Sequence, residues 1–250
     1  MKEVIAVINQ KGGVGKSTTA QAIGQGLILK GYKVLFVDLD AQGNLSYSLN
    51  AQQGALNVLD IINHRAKAKD AIQTTPEGDI IPTSPQLSGA DLILNETGKE
   101  YRLKEALTPI LKDYDYIIID TPPALGILTI NALTVCTGAI IPAQADIYSL
   151  QGVGQLSQTL KAVKTYCNKD LTLKGIVLTR YSKRAILSRD LAETLENTAK
   201  QLNTKLYKTK IRECIAIKEA QATKKSIYAY APKSNASKDY MNLLEEVIKE

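Results

Sequence analysis

The chain has 250 residues, of which 44% are hydrophobic and 22% charged. This composition is that of a globular protein, and no apolar run approaches the about 20 residues that a membrane span needs. A length of 250 residues suits a single domain, so we expect one domain over residues 1–250. The N-terminus enters an apolar strand without a basic leader, so we expect the protein to be cytoplasmic. Three cysteines without C-x-x-C spacing argue against a disulfide framework or a zinc site.

Positive charge is concentrated near the C-terminus. The net charge is +6, and residues 174–238 hold 15 Lys/Arg against 5 Asp/Glu, which leaves 16 against 20 elsewhere. These basic residues are scattered over several predicted elements and not along one amphipathic helix, which favours nucleic acid over anionic lipid as a partner. A solvated basic face without a partner is the alternative.

Short apolar, β-branched runs alternate with helical patterns along the chain. This alternation predicts an α/β fold with a mainly parallel β-sheet flanked by helices, because parallel strands are joined by helical crossovers and buried on both faces. The predicted strands are Val4–Ile8, Val34–Val37, Asp79–Ile81, Tyr116–Ile119, Gly138–Ile141, Gly175–Leu178 and Lys205–Tyr207. The predicted helices are Ser17–Lys30, Ala55–Asn63, Arg102–Lys112, Thr129–Val135, Leu150–Tyr166, Leu187–Leu202 and Ser237–Lys249.

A glycine-rich loop joins the first predicted strand to the first predicted helix. Its glycines let backbone N–H groups point inward, and the helix N-terminus adds positive charge. Lys16 can reach phosphate oxygens, and the Ser17 hydroxyl can bind Mg²⁺. The loop therefore predicts a P-loop site for a nucleoside triphosphate, formed by Lys11, Gly12, Gly13, Val14, Gly15, Lys16, Ser17 and Thr18. Gln10 stands where the strict pattern has a glycine, and Lys11 is an additional lysine.

Carboxylates follow two further buried strands. Asp38 and Asp40 alternate after Val34–Val37, and Asp120 ends Tyr116–Ile119. The carboxyl ends of parallel strands form the ligand edge of an open α/β sheet. We expect Asp120 to hold Mg²⁺, in part through water. Of the alternating pair, one carboxylate can bind the metal and the other can orient water.

These motifs resemble those of the ParA/MinD group of P-loop ATPases. Lys-Gly-Gly-x-Gly-Lys-Ser is similar to the group's deviant P-loop, and the sequences from Asp38 to Asn44 and from Asp120 to Pro123 are similar to its other motifs. The likeness covers nearly the whole chain. It is closest to the Soj-type chromosomal and plasmid partition ATPases that lack an N-terminal helix-turn-helix extension.

The resemblance implies ATP and Mg²⁺ as cofactors and slow ATP hydrolysis. In the family the extra lysine, here Lys11, reaches the phosphates of a second subunit, which implies an ATP-dependent homodimer. The resemblance makes Lys11, Lys16 and Asp40 the catalytic residues, with Asp40 positioning the attacking water. Asp38 is then structural, and the metal site consists of Ser17, Asp40 and Asp120. Contacts to the base fall near Arg212 and Pro232, although the family's Ile-Pro-Arg-Asn is altered here.

Partners also follow from the resemblance. Soj-type proteins bind DNA non-specifically, and their DNA-binding arginine falls at Arg184, next to Lys183. A second family arginine falls at Ala216, so phosphate contacts would come from nearby lysines, Lys218, Lys224 and Lys225. A ParB-type centromere-binding protein would stimulate hydrolysis, and the protein would associate with the nucleoid.

The alternative is a MinD-like or other assembly or positioning ATPase that does not act on DNA. A MinD-like protein needs a basic amphipathic membrane helix at its C-terminus, whereas residues 240–250 are net acidic, so we expect no membrane partner. An assembly ATPase related to nitrogenase reductase needs bridging cysteine pairs, which this chain lacks.

Overall fold

A computed structural model describes residues 3–144, 146–181 and 187–249. One sheet of seven strands has the order β3-β4-β2-β5-β1-β6-β7. All neighbouring strands are parallel except the β3–β4 pair, which is antiparallel. The predicted α/β fold with a mainly parallel sheet is confirmed. The strands are β1 Glu3–Val7, β2 Val34–Asp38, β3 Gln73–Thr75, β4 Gly78–Ile81, β5 Tyr116–Asp120, β6 Gly138–Gln144 and β7 Thr172–Thr179.

Helices cover both faces of the sheet. Three 3₁₀ helices at Pro85–Gly89, Lys99–Tyr101 and Thr108–Asp113 complete the connections. The α-helices are α1 Lys16–Leu29, α2 Asn44–Ser48, α3 Val58–Ile62, α4 Ala68–Ala71, α5 Ala90–Ile93, α6 Arg102–Leu107, α7 Ile127–Val135, α8 Ile147–Tyr166, α9 Leu187–Gln201, α10 Ile215–Ala222, α11 Ile227–Tyr230 and α12 Asn235–Ile248.

The sheet separates two hydrophobic cores. Alternate residues of β1 belong to opposite cores: Val4 and Ala6 pack on one face, and Ile5 and Val7 on the other. All four are fully buried, as a central parallel strand requires. Helix α1 packs closely on the sheet at Gly24, which has no side chain. A Cβ atom at this position would stand only 2.2 Å from the Phe36 ring.

Several elements differ from the predictions, and among them are the unpredicted helices α2, α4, α5, α10 and α11. The predicted strand Lys205–Tyr207 makes only an isolated parallel bridge, between Ile176 and Leu206, and is not a strand. Strand β3 was not predicted because its sequence, Gln-Thr-Thr, is short and polar. Among the described residues, no helix combines the length and apolar character needed to cross a bilayer.

Strand register places the predicted carboxylates together. In the β1–β5 pair Val7 lies opposite Asp120, and in the β2–β5 pair Asp38 lies opposite Asp120. Strands β2 and β5 therefore carry the carboxylates on one side of β1, whereas β6 and β7 lie on its other side. The phosphate loop follows β1 and stands between the two groups of strands.

Candidate nucleotide-binding site

A cleft of about 510 Å³ opens at the carboxyl edge of the sheet. Its size lies within the roughly 300–1,000 Å³ that is usual for small-molecule sites. The phosphate loop, the segment after β2, the end of β7 and the end of α10 contribute to it. The lining residues are Gly12, Gly13, Gly15, Lys16, Ser17, Thr18, Asp40, Gln42, Asn44, Tyr47, Ser48, Pro123, Arg180, Gln221 and Ala222.

The loop backbone has the conformation that a phosphate cradle needs. Gly13 and Gly15 have φ of 75° and 89°, a left-handed region that other residues rarely adopt. Gly15 is the N-cap of α1, so the helix begins directly at the cleft. No side chain caps this N-terminus, which leaves its backbone N–H groups available to an anion.

Polar side chains hold the loop in place from the neighbouring strands. The Thr179 hydroxyl donates to the carbonyl of Val14 at 2.7 Å, and Gln144 donates to the carbonyl of Gly13 at 3.0 Å. The Lys11 amide donates to the Asn9 side chain at 2.9 Å, and Asn9 donates to the Pro142 carbonyl at 2.7 Å. The loop conformation is thus fixed by the protein's own contacts.

Lys16 lies inside the site. The residue is only 6% exposed, and its ammonium donates to the backbone carbonyl of Lys11 at 3.0 Å. Burial lowers the pKa of Lys16, an effect opposed by the negative charges of Asp120 and Asp40. A buried cation between two carboxylates and a row of glycine amides is suited to triphosphate oxygens.

Asp120 fits a magnesium ligand. It is fully buried, and within the described residues neither carboxylate oxygen accepts a hydrogen bond. Burial and, next, the charge of Asp38 raise the pKa of Asp120 well above its usual value. The nearby Ser17 side chain acts in the opposite direction and lowers the pKa of Asp120, although no hydrogen bond of normal geometry joins the two side chains. A divalent cation beside Asp120 and Ser17 would compensate the buried charge.

Such a cation would need ligands from the nucleotide and water. In the part of the chain that the structure describes, no three His, Cys, Asp or Glu side chains are grouped to hold a metal ion. Mg²⁺ in phosphate sites usually has only one or two protein oxygens as ligands, and phosphate and water oxygens complete its coordination.

The two carboxylates after β2 have different surroundings. Asp38 is fully buried and accepts hydrogen bonds from the Asp40 amide at 3.0 Å and from the Ser46 amide and hydroxyl at 2.8 and 2.7 Å. Asp40 lines the cleft and accepts one hydrogen bond, from the Gln42 amide at 3.0 Å. The geometry therefore makes Asp38 a support for the loop and leaves Asp40 facing the ligand.

Comparison with known proteins identifies the family. A family model described as an AAA domain matches residues 2–173. The chain is 41% identical over 252 residues to the sporulation initiation inhibitor protein Soj of Bacillus subtilis, covering 99% of this chain and 98% of that protein. It is 36% identical over 252 residues to the chromosome partitioning protein ParA of Caulobacter vibrioides, covering 98% and 93%. The chain belongs to the Soj/ParA family of partition ATPases.

A solved structure also resembles this Soj/ParA family member. Cobyrinic acid a,c-diamide synthase from Mycobacterium smegmatis, with a bound ATP analogue and magnesium, matches with a TM-score of 0.84 and 32% identity. The match covers 100% of this chain and 95% of that one. The ligands of that structure agree with the cofactors predicted here, ATP and Mg²⁺.

Lys11, the additional lysine of the phosphate loop, is not among the residues that line the cleft. Its side chain is 27% exposed, and its ammonium forms an ion pair with Asp146 at 2.5 Å. The two lysines of one loop therefore have different surroundings, since Lys16 is buried beside the carboxylates and Lys11 lies near the surface.

Of the residues predicted to contact the base, Arg212 forms an isolated parallel bridge with Tyr181, which follows the cleft-lining Arg180. The Arg212 guanidinium pairs with Asp239, which accepts from its Nε at 2.9 Å and its Nη2 at 2.5 Å. Pro232 is exposed. Neither residue is among those that line the cleft, so their contact with the base stays a prediction.

The residues predicted to bind DNA are only partly described. Arg184 and Lys183 lie outside the described residues. Lys218 and Lys225 are exposed, on α10 and shortly after it. Lys224 takes a left-handed conformation after α10, with φ of 53°.

Lys224 contacts the segment that follows the Asp40 loop. Its ammonium lies 4.6 Å from the Tyr47 ring centroid and donates to the Asn50 side chain at 3.0 Å. Tyr47 lines the nucleotide cleft, so this one lysine links the predicted DNA-binding residues to the nucleotide site.

The sequence reasoning missed several residues of the cleft lining, among them Tyr47, Arg180 and Gln221. Arg180 follows β7, and Gln221 near the end of α10 donates to the Thr18 hydroxyl at 2.9 Å. Neither residue belongs to a phosphate-binding motif. The only available signal was the position of Arg180 directly after a predicted strand, where ligand-edge residues are found.

Proposed function

We propose that the protein is a partition ATPase whose ATP-bound homodimer binds DNA non-specifically and hydrolyses ATP slowly. A ParB-type centromere-binding protein stimulates hydrolysis and thereby releases the dimer from DNA. The protein is accordingly cytoplasmic and associated with the nucleoid. The names of the relatives, which include a chromosome partitioning protein, support this assignment.

The observation that carries the proposal is the separation of the two loop lysines. Lys16 lines its own cleft, whereas Lys11 lies outside it and pairs with Asp146 near the surface. A lysine placed at the mouth of a phosphate loop, and not inside it, is suited to the nucleotide of a second subunit. ATP then joins two copies because each site is complete only with the partner's Lys11.

Within each site the residues act by position and charge. Lys16 offsets the negative charge that develops on the phosphoryl oxygens, and the partner's Lys11 adds a second positive charge. Asp40 orients the attacking water from the side of the cleft that β2 provides. Ser17, Asp40 and Asp120 are the residues that would hold Mg²⁺, which would supply further charge stabilisation when bound. No covalent intermediate with the protein is needed.

DNA binding is supported by the charge distribution. Lys218 and Lys225 are exposed, and the segment from 174 to 238 carries 15 basic and 5 acidic residues. Non-specific binding needs only cations near phosphates, because released counterions provide the driving force. Dimerisation doubles this basic surface, which gives the ATP state the higher DNA affinity.

Dimerisation is tested with a variant that binds ATP and hydrolyses it poorly. Asp40→Ala with ATP and Mg²⁺ is expected to give a dimer in light scattering and a monomer with ADP. Adding Lys11→Ala to this variant should leave a monomer that still binds ATP. A monomeric Asp40→Ala protein with ATP bound would contradict the sandwich-dimer mechanism.

DNA binding is tested by co-sedimentation with ATP, ADP and a non-hydrolysable ATP analogue at two salt concentrations. We expect sedimentation with ATP and the analogue only, and much less of it at the higher salt concentration. Binding to liposomes in place of DNA would contradict the proposal in favour of a MinD-like function. Binding to neither would favour an assembly ATPase.

A further inference from the structure

Arg180 stands in the nucleotide cleft without an assigned role. It lines the cleft together with Thr18 and Gln221, and it is exposed. No ion pair or hydrogen bond of its guanidinium occurs among the described residues. An arginine that lies at the mouth of a ligand site and forms no ion pair with a described carboxylate can contact a bound ligand.

The backbone around Arg180 is fixed on both sides. The preceding Thr179 donates to the carbonyls of Val14 and Ala143, at 2.7 and 3.3 Å. The amide of the following Tyr181 donates to the carbonyl of Ile211 at 2.9 Å. Between these contacts Arg180 has φ of 49°, a left-handed conformation that is unfavourable for a non-glycine residue. Strain held by its surroundings at a ligand site is a pointer to function.

The order of strands shows which part of the nucleotide Arg180 faces. The residues for magnesium and water, Asp120 and Asp40, come from β5 and β2 on one side of β1. Arg180 comes from the end of β7, two strands away on the other side, or about 10 Å at the usual strand spacing. A nucleotide whose terminal phosphates bind beside Asp120 and Asp40 would have its ribose and base on the side of Arg180.

We propose that Arg180 contacts the nucleoside half of the nucleotide, with its planar guanidinium against the face of the base. The inference rests on the ATP site described above and adds a base-contacting residue to Arg212 and Pro232, the two positions that the family resemblance gives. An arginine suits this position because its flat, weakly hydrated cation stacks on aromatic rings, which a lysine ammonium does not reproduce. Thr18 and Gln221 line the same cleft and offer polar groups for the ribose or the base edge.

The test compares nucleotides with a ligand that has phosphates but no nucleoside. Affinities for ATP, ADP and inorganic triphosphate, each with Mg²⁺, are measured by calorimetry for the full chain and for Arg180→Met, Arg180→Lys and Lys169→Ala. Lys169 precedes β7 at the opposite edge of the sheet and is exposed, so its variant controls for loss of one positive charge. Circular dichroism verifies that each variant is folded.

We expect Arg180→Met to weaken ATP and ADP by the same factor, roughly five- to thirtyfold, and to leave inorganic triphosphate unchanged. Arg180→Lys should resemble Arg180→Met, and Lys169→Ala should resemble the parent chain. A loss of triphosphate affinity, or a larger loss for ATP than for ADP, would place Arg180 at the phosphates and overturn the inference. Unchanged affinity of Arg180→Met for both ATP and ADP would also overturn the inference. If the parent chain itself bound no ATP, the proposed function would fail first.

Discussion

The nucleotide cleft and the basic C-terminal face are specified in different ways. Around the cleft, buried side chains hold the site in place: Asp38 accepts three hydrogen bonds from described residues, and Thr179 donates to the carbonyl of Val14. On the basic face, Lys218 and Lys225 are exposed side chains whose charge is screened by solvent. Nucleotide binding in the cleft therefore depends on the positions of individual side chains, whereas binding at the basic face depends on the number of positive charges.

This difference predicts different responses to substitution. A change in the cleft removes a group that nothing else can replace at that distance from the phosphates. A change on the basic face removes one of several interchangeable cations, because counterion release depends on their number more than on their exact position. We therefore expect a substitution at a phosphate-binding residue of the cleft to remove most of the ATP hydrolysis. We expect a single substitution on the basic face to lower the DNA affinity only slightly.

The largest effect is expected for Lys16→Ala. Removing the buried ammonium takes away the main positive charge at the phosphates, so ATP hydrolysis should fall by about 100-fold or more. Steady-state phosphate release and calorimetric ATP binding measure the loss. Lys11→Ala is the matched control within the same loop, and as a monomer it should bind ATP with nearly parental affinity. Equal loss of ATP binding in both variants would contradict the separation of the two lysines.

A smaller effect is expected on the basic face. Lys218→Ala and Lys225→Ala should each weaken DNA binding in the ATP state by roughly two- to fivefold, because an exposed ion pair is worth at most about 1 kcal/mol. Each should also reduce the slope of log affinity against log salt by about 1. Fluorescence anisotropy with labelled duplex DNA at several salt concentrations gives both quantities. Loss of all DNA binding in either single variant would show that this face, too, depends on geometry.

The smallest effect is expected where the two regions meet, at Tyr47 and Lys224. A double-mutant cycle with Tyr47→Leu and Lys224→Ala should give a coupling free energy of about 0.5–1 kcal/mol, the usual value for an exposed cation–π contact. Urea unfolding of the four proteins measures it. A coupling free energy of zero would mean that the 4.6 Å contact does not stabilise the protein.

The sequence was most informative where local pattern and structure coincide. The apolar strands before Asp38 and Asp120 and the glycines around Lys16 are contiguous motifs, so their positions in the sheet could be predicted. Pairing Asp38 with Asp120 needed only the rule that parallel strands end at one edge.

The missed features depend on contacts between distant segments. Gln221 reaches the cleft because α10 packs beside α1, with its amide on Thr18, 203 positions away in the chain. The run Lys205–Tyr207 has strand-like residues, yet only one bridge to Ile176 forms, so burial of Tyr207 against Gly175 replaces strand pairing. Neither outcome is encoded in a local pattern.

The hydrogen bonds that hold the phosphate loop have a kinetic consequence. Because Thr179, Gln144 and Asn9 fix its backbone without help from a ligand, a nucleotide that arrives needs little reordering of the chain. A preorganised loop binds the phosphates that ATP and ADP share with similar ease, and exchange between the two then follows their cellular concentrations. Under the proposed function, discrimination between the nucleotide states would depend on contacts that only the third phosphate makes, at Asp40 and at Lys11 of a second copy.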